Sequence, residues 1–253
     1  MGEPFHASRA AAAPPVSQPC QACLAWEGGI CASLDARERQ VLSAAASRRH
    51  FPAGAELMTA SETPGGCATL LSGVVKLSRL LADGRQQIVA LKAAPDFLGR
   101  PFSAPSELSV RAVTDVHLCQ FPRATFEAIV AQNPRLEHRL YLAALADLDQ
   151  AEELLLALGR KTAREKVASF LLSVADRLAP VRAEEPPCRR DETGCDRIDL
   201  PLTRAEIADF LGLTFETVSR QFAGLRNENL IELPNVRRVV IRDRARLRGA
   251  AGA

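Results

Sequence analysis

At 253 residues the chain can form one large or two modest domains, each able to bury a core. Its 47% hydrophobic and 25% charged residues are ordinary for a globular protein. The 32 basic and 30 acidic residues leave a formal charge of +2, which selects no partner, and no apolar run approaches the ~20 residues needed to cross a bilayer.

In chain order, residues 1–19 read as a small, Pro-rich, disordered leader without the continuous apolar stretch of a signal peptide. A cytoplasmic chain is expected on this reading, and there seven cysteines point to metal, redox sensing or burial rather than disulfides. A cysteine-rich segment spans 20–33. Residues 34–132 open with a helix over Leu34–Ser47 and continue as short runs cut by Gly54, Gly66, Gly73, Gly84 and Gly99. Asp83-Gly84 between two such runs signals a hairpin, and the whole reads as an antiparallel β-roll. Residues 133–160 form one long helix. Its stripe of Leu136, Leu140, Ala144, Leu148, Ala151, Leu155 and Leu158 suits a core face or a dimer seam, and its place between two domains favours the seam. A helix over Ala163–Leu178 begins the last domain, 161–253, in which 179–197, with Cys188 and Cys195, reads as a linker or insertion.

Thr203-Arg-Ala-Glu206 has the form of a capping box, in which the threonine hydroxyl and the glutamate satisfy backbone N–H groups reciprocally. The short helix it opens, Arg204–Leu211, meets Gly212, suited to a left-handed cap, and a second helix starts near Thr214. Val218, Phe222 and Leu225 make the buried stripe of that helix. Glu216, Thr217, Ser219, Arg220 and Gln221 are left near its exposed N-terminal end, the part that enters a major groove. Leu230–Leu233 and Arg238–Ile241 read as the hairpin of a wing, with Arg238 placed to meet phosphate. The arginines from Arg204 onward give this terminal domain a basic cast, read either as a solvated surface or as a nucleic-acid footprint. The helical hairpin with its wing favours double-stranded DNA; a non-DNA interaction module is the alternative.

Roll, long helix and winged helix-turn-helix together, an α+β architecture, resemble the cyclic-AMP receptor protein/fumarate–nitrate reduction regulator (Crp/Fnr) family from Cys20 to about Arg242. Glu216-Thr-Val-Ser219-Arg220 is similar to the base-reading Glu-x-x-Ser-Arg of the fumarate–nitrate branch. That resemblance implies a homodimer on palindromic TTGAT-type sites and a contact with RNA polymerase. The chemistry agrees: an arginine suits a guanine edge and a carboxylate a cytosine amino group. In the cyclic-AMP branch an Arg-Ser pair before a Val-Arg-Ala stretch holds phosphate. Here Ser106-Glu107 precedes Val110-Arg111-Ala112, and Arg100 follows Gly99 where ribose-binding glutamate is expected. A carboxylate repels phosphate, so no cyclic nucleotide is expected.

Cys20-x2-Cys23-x7-Cys31 offers three local thiolates to one metal centre and leaves one position open. Strand parity over Val110–Phe121 puts Ala112, Val116 and Leu118 on one face and Arg111, Asp115, His117 and Cys119 on the other, making Cys119 the candidate fourth ligand. Cys67 alternates with apolar residues and reads as a buried thiol. Spacing alone leaves a Zn²⁺ site open; resemblance to the fumarate–nitrate branch implies an oxygen-labile [4Fe–4S] cluster and an oxygen-responsive regulator. The alternative is a roll that binds a small effector, with structural zinc near the N-terminus. No nucleophile–base pair or phosphate loop stands out, so enzymatic activity is not expected. Glu152 and Glu153 flank apolar seam positions, where like charges facing a symmetry mate would keep the dimer marginal.

Overall fold

The computed structural model describes residue 23, residues 28–58, 66–103, 106–178 and 196–252, and the backbone of 188–190. The chain divides into two units, Met1–Asp83 with Ala90–Asp149, and Gly84–Val89 with Gln150–Ala253.

The first unit begins with a 3-10 turn at Ile30–Ser33 and helix α1, Ala36–Ala45, whose capping box pairs Asp35 with Glu38. Eight strands follow: β1 Ser47–Phe51, β2 Glu56–Met58, β3 Gly66–Ser72, β4 Val74–Leu80, β5 Gln86–Ala93, whose first half is counted with the second unit, β6 Phe97–Leu98, β7 Ser109–Ala112 and β8 Val116–Pro122. They form two sheets, ordered β1-β8-β3-β6 and β2-β7-β4-β5, as the roll predicts. Leu70, Val75, Ile88, Val110, Val116 and Leu118 are among its buried residues. Helices α2, Arg123–Gln132, and α3, Pro134–Arg160, close the unit, and α3 runs on into the second.

One expectation needs correction. Residues 110–121 are two strands, β7 and β8, in different sheets. The chain turns at Val113-Thr114-Asp115 because the Val113 N–H, at 2.8 Å, and the Thr114 N–H, at 3.4 Å, both donate to the Val74 carbonyl. The Val74 N–H in turn donates to Thr114 Oγ1 at 2.9 Å. Gly73, at φ +86°, turns the chain from β3 into β4 at the same place, so the two crossings between sheets brace each other. Within β8 the alternation still holds: Val116 and Leu118 are buried, while His117 is exposed.

The second unit holds α4, Ala163–Leu178; β9, Cys188–Arg190; β10, Asp196–Asp199; α5, Arg204–Leu211; α6, Phe215–Asn227; β11, Ile231–Glu232; β12, Arg238–Ile241; and α7, Arg244–Ala250. The two-stranded wing is in fact part of a four-stranded sheet, β11-β12-β10-β9. The stretch expected as a linker or insertion thus contains β9 and the start of β10. Asp196 and Ile198 face inward and Arg197 and Asp199 outward, the period-2 pattern of a half-buried strand. Cys188 lies on β9, opposite Ile198 in the register; Cys195 lies outside the described residues. Phe170, Leu171, Ile198, Ile207, Phe222, Leu225 and Leu247 fill the core.

A Cβ at position 73 would lie 2.2 Å from the Asp115 carbonyl oxygen, on a backbone that already disfavours L side chains. Gly73→Ala should therefore destabilise the first unit by about 3 kcal/mol in urea unfolding, whereas Gly84→Ala, with open space around it, carries only the positive-φ penalty of ~1 kcal/mol.

Candidate functional site

Two constellations stand out, one in each unit. In the second, the capping box is formed: the Glu206 N–H donates to Thr203 Oγ1 at 3.2 Å and the Thr203 N–H to Glu206 Oε2 at 2.8 Å. Gly212 closes α5 in the left-handed region at φ 60°, ψ 44°. Thr214 caps α6 by accepting from the Thr217 N–H at 3.2 Å. Val218, Phe222 and Leu225 are buried, and this fixes the rotation of α6. Glu216 and Arg220 are thereby exposed, with Thr217, Ser219 and Gln221 half-buried. The Glu216 carboxyl is held below the usual carboxylate range by its own backbone N–H and by the Thr214 hydroxyl, so it stands ionised at the mouth of the helix.

In sequence Arg204 is one more basic residue, but its guanidinium lies 3.2 Å from the centroid of the Phe222 ring. That contact ties the first turn of α5 to the core of α6, and burial draws the guanidinium pKa down to about 10. In the wing, Asn235 Oδ1 accepts from the N–H groups of Arg237, at 2.9 Å, and Arg238, at 2.7 Å. Arg238 is half-exposed and bound by Asp199, with Nε to Oδ1 at 2.8 Å. Arg242 likewise pairs with Glu232, and Arg244 with both Asp176 and Asp196. Arg220 has no ion-pair partner among the described residues.

In the first unit, Ile30, Leu34, Leu42, Cys67, Phe121, Phe126, Val130 and Leu136 form an apolar cluster on the outer face of the β3–β8 pair. Cys31 and Cys119 both pack at its margin, together with Leu140 of α3. Arg139 on α3 donates to the Gly28 carbonyl at 2.6 Å, and the Ser33 hydroxyl to the Ile30 carbonyl at 2.8 Å. These bonds seat the Cys31 turn against the beginning of the long helix. Cys67 is buried in the cluster itself, and burial pushes its thiol up to about 12, so it is held as a neutral thiol. Cys23 is half-buried; Cys20 lies outside the described residues, and among the described residues no group of three or more metal-binding side chains is assembled. The donor chemistry suits a thiolate-bound metal: Cys31 and Cys119, from distant segments and partly exposed, both pack at the margin of one apolar cluster, whereas Cys23 is not brought together with them and Cys67 is shut away.

Beyond its first two turns the long helix turns its apolar stripe outward. Leu136 is buried and Leu140 packs on the cluster, but Tyr141, Leu145, Leu148 and Leu155 are exposed, the last by 69%. Glu152 and Glu153 are exposed beside them, while Asp147 pairs with Lys92 at 2.7 Å. Between the roll and α3 lies a half-open cavity of about 600 Å³ lined by Phe97, Leu98, Arg100, Ser106, Leu140 and Tyr141 among others. Glu107 pairs with Arg79. No helix among the described residues is long and apolar enough to cross a membrane.

A β-roll, a long helix with an outward apolar stripe and a capped winged helix-turn-helix define a DNA-binding transcription regulator. Residues 48–133 match the cyclic nucleotide-binding domain family and residues 165–250 the Crp-like helix-turn-helix domain. A probable transcriptional activator of Rhizobium leguminosarum bv. viciae is 42% identical over 88% of this chain and 89% of its own. The transcriptional activator protein FnrL of Cereibacter sphaeroides is 38% identical over 94% of both chains. The solved structure of FixK2 from Bradyrhizobium japonicum superposes with a TM-score of 0.73 at 30% identity, over 82% of this chain and 98% of that one. The chain belongs to the Crp/Fnr family of transcription regulators, among relatives of the Fnr and FixK type.

Proposed function

We propose that the protein is an oxygen-responsive transcription activator that carries a [4Fe–4S] cluster on Cys20, Cys23, Cys31 and Cys119 and binds TTGAT-type palindromes as a homodimer at low oxygen. One observation carries this reading: Cys31 and Cys119 pack on the same apolar cluster that anchors the first turns of α3. When bound, the iron–sulfur group supplies an oxygen-labile cross-link between thiolates. The chain's own residues do the rest. Ile30 and Leu34 share a buried cluster with Leu136, and Arg139 holds Gly28, so whatever fixes the cysteine segment also fixes the start of the long helix. Further along, Tyr141, Leu145, Leu148 and Leu155 offer an apolar face to a second copy. Glu152 and Glu153 beside that face set like charge against like charge, keeping the dimer weak until the cysteine segment is fixed. Swinging such an equilibrium fully takes about 5 kcal/mol of differential stabilisation. Two recognition helices then present Glu216 and Arg220 to base edges, and a further surface meets RNA polymerase.

A second reading has the roll cavity in its favour. Its aromatic and aliphatic lining with Arg100 suits a small effector, and zinc would then sit at the N-terminal cysteines. Iron and acid-labile sulfide analysis of anaerobically purified protein separates the two: iron and sulfide in equal amounts support the cluster, and stoichiometric zinc supports the effector.

Substituting Ser for Cys20, Cys23, Cys31 or Cys119 should each abolish cluster binding and anaerobic activity, while Cys67, Cys188 and Cys195 tolerate it. A Cys119→Ser protein that keeps its cluster removes the fourth ligand from the scheme. Arg220→Ala should cost ~1–3 kcal/mol at the cognate site and relax discrimination at one base pair in gel-shift titrations. Arg238→Ala should weaken all sequences alike, with a change in salt slope below about one, because Asp199 already shares its charge. Glu152→Ala or Glu153→Ala should dimerise in air without the cluster; sedimentation of both variants as monomers would show that charge is not the brake.

A further inference from the structure

Thr69 sits in the middle of β3, between Phe97 on one neighbouring strand and Cys119 on the other. Directly paired residues point to the same side of a sheet, so the Thr69 side chain shares the face that carries Cys67, Phe121 and Cys119. It is completely buried, at 0% exposure, and Oγ1 has no hydrogen-bond partner. A buried hydroxyl without a partner costs stability, and a valine of the same shape would avoid that cost. The position is walled by apolar groups and lies opposite a cysteine whose thiol is half-buried. The Thr69 hydroxyl makes no hydrogen bond to Cys119 here, but a thiolate at that sulfur would be a far stronger acceptor than the thiol and one that a turn of the buried hydroxyl could reach.

We propose that Thr69 is a positioning residue whose hydroxyl donates a hydrogen bond to Cys119 Sγ when that sulfur is a metal-bound thiolate. This rests on Cys119 being a ligand, as proposed above. Such a bond orients the sulfur and slows its loss from the metal, in the way that outer partners commonly tune metal sites. In the metal-free protein the same hydroxyl is left without its acceptor and is a liability. The residue thereby favours the loaded state twice over.

Thr69→Val and Thr69→Ser separate this role from a merely structural one. Metal-free Thr69→Val should melt at a higher temperature than metal-free wild type. The same variant, loaded anaerobically, should lose its visible cluster absorbance on the order of tenfold faster under a fixed chelator concentration. Thr69→Ser, which keeps a hydroxyl, should lose it at close to the wild-type rate. If loaded Thr69→Val matches wild type in cluster loss, or melts lower when metal-free, the hydroxyl does not serve Cys119. Absence of iron and sulfide from anaerobically purified wild type overturns the cluster reading itself and this role with it.

Discussion

Eight side chains from pieces of chain far apart in sequence meet on the outside of the roll: Ile30, Leu34, Leu42, Cys67, Phe121, Phe126, Val130 and Leu136. This cluster lies outside the roll's interior, where Leu70, Val116 and Leu118 point, and it closes only because the 3-10 turn, α1, α2 and the start of α3 all lay apolar residues against the same pair of strands. Each large aliphatic or aromatic side chain that it buries contributes about 1.5–3 kcal/mol. Among the described residues of the cysteine segment, Gly28–Ser33 makes only one 3-10 turn, and this cluster with the Arg139–Gly28 bond seats it. Position of the Cys31 thiol, footing of the long helix and shielding of Cys67 all follow from this one packing event.

The second unit solves a different problem, which is to aim a helix rather than hold a segment. Two caps and a left-handed glycine fix where α5 stops and α6 starts, and three buried side chains fix how α6 is rotated. Arg204 lying over Phe222 adds a brace between the helices that neither hydrophobic pattern nor cap chemistry provides. A recognition helix set this firmly presents its polar end in one orientation, which base reading requires because hydrogen bonds to base edges tolerate little error in direction.

The features legible in the sequence are the local ones. The capping box at Thr203 and Glu206, the glycine at 212 and the spacing of Val218, Phe222 and Leu225 lie within a few residues of one another, and each has a distinct chemical reason. The parity of Val116, Leu118 and Cys119 was also legible, since alternation needs no partner to be seen. Illegible was whatever depends on another strand or helix. The break at Val113–Asp115 arises from the Val74 carbonyl, some forty residues upstream. The prolines and charges of 179–197 masked β9 and β10, whose inward Ile198 acquires meaning only beside β12. Arg139 and Thr69 carry no pattern at all; the Gly28 carbonyl that Arg139 meets and the Cys119 register opposite Thr69 exist only in the folded chain.

The acids that flank the wing change how strongly this domain is drawn to nucleic acid in general. By residue count its C-terminal portion is rich in arginine, yet Asp199, Glu232, Asp176 and Asp196 already neutralise Arg238, Arg242 and Arg244. Attraction to an arbitrary duplex comes from displacing condensed counterions, and an arginine that already has an anion beside it displaces fewer. A regulator of this build spends less of its time parked on random sequence and returns sooner to solution, so its occupancy of a promoter depends on the few side chains that read bases. A low background of this kind lets a small change in the amount of binding-competent protein register as a change in transcription.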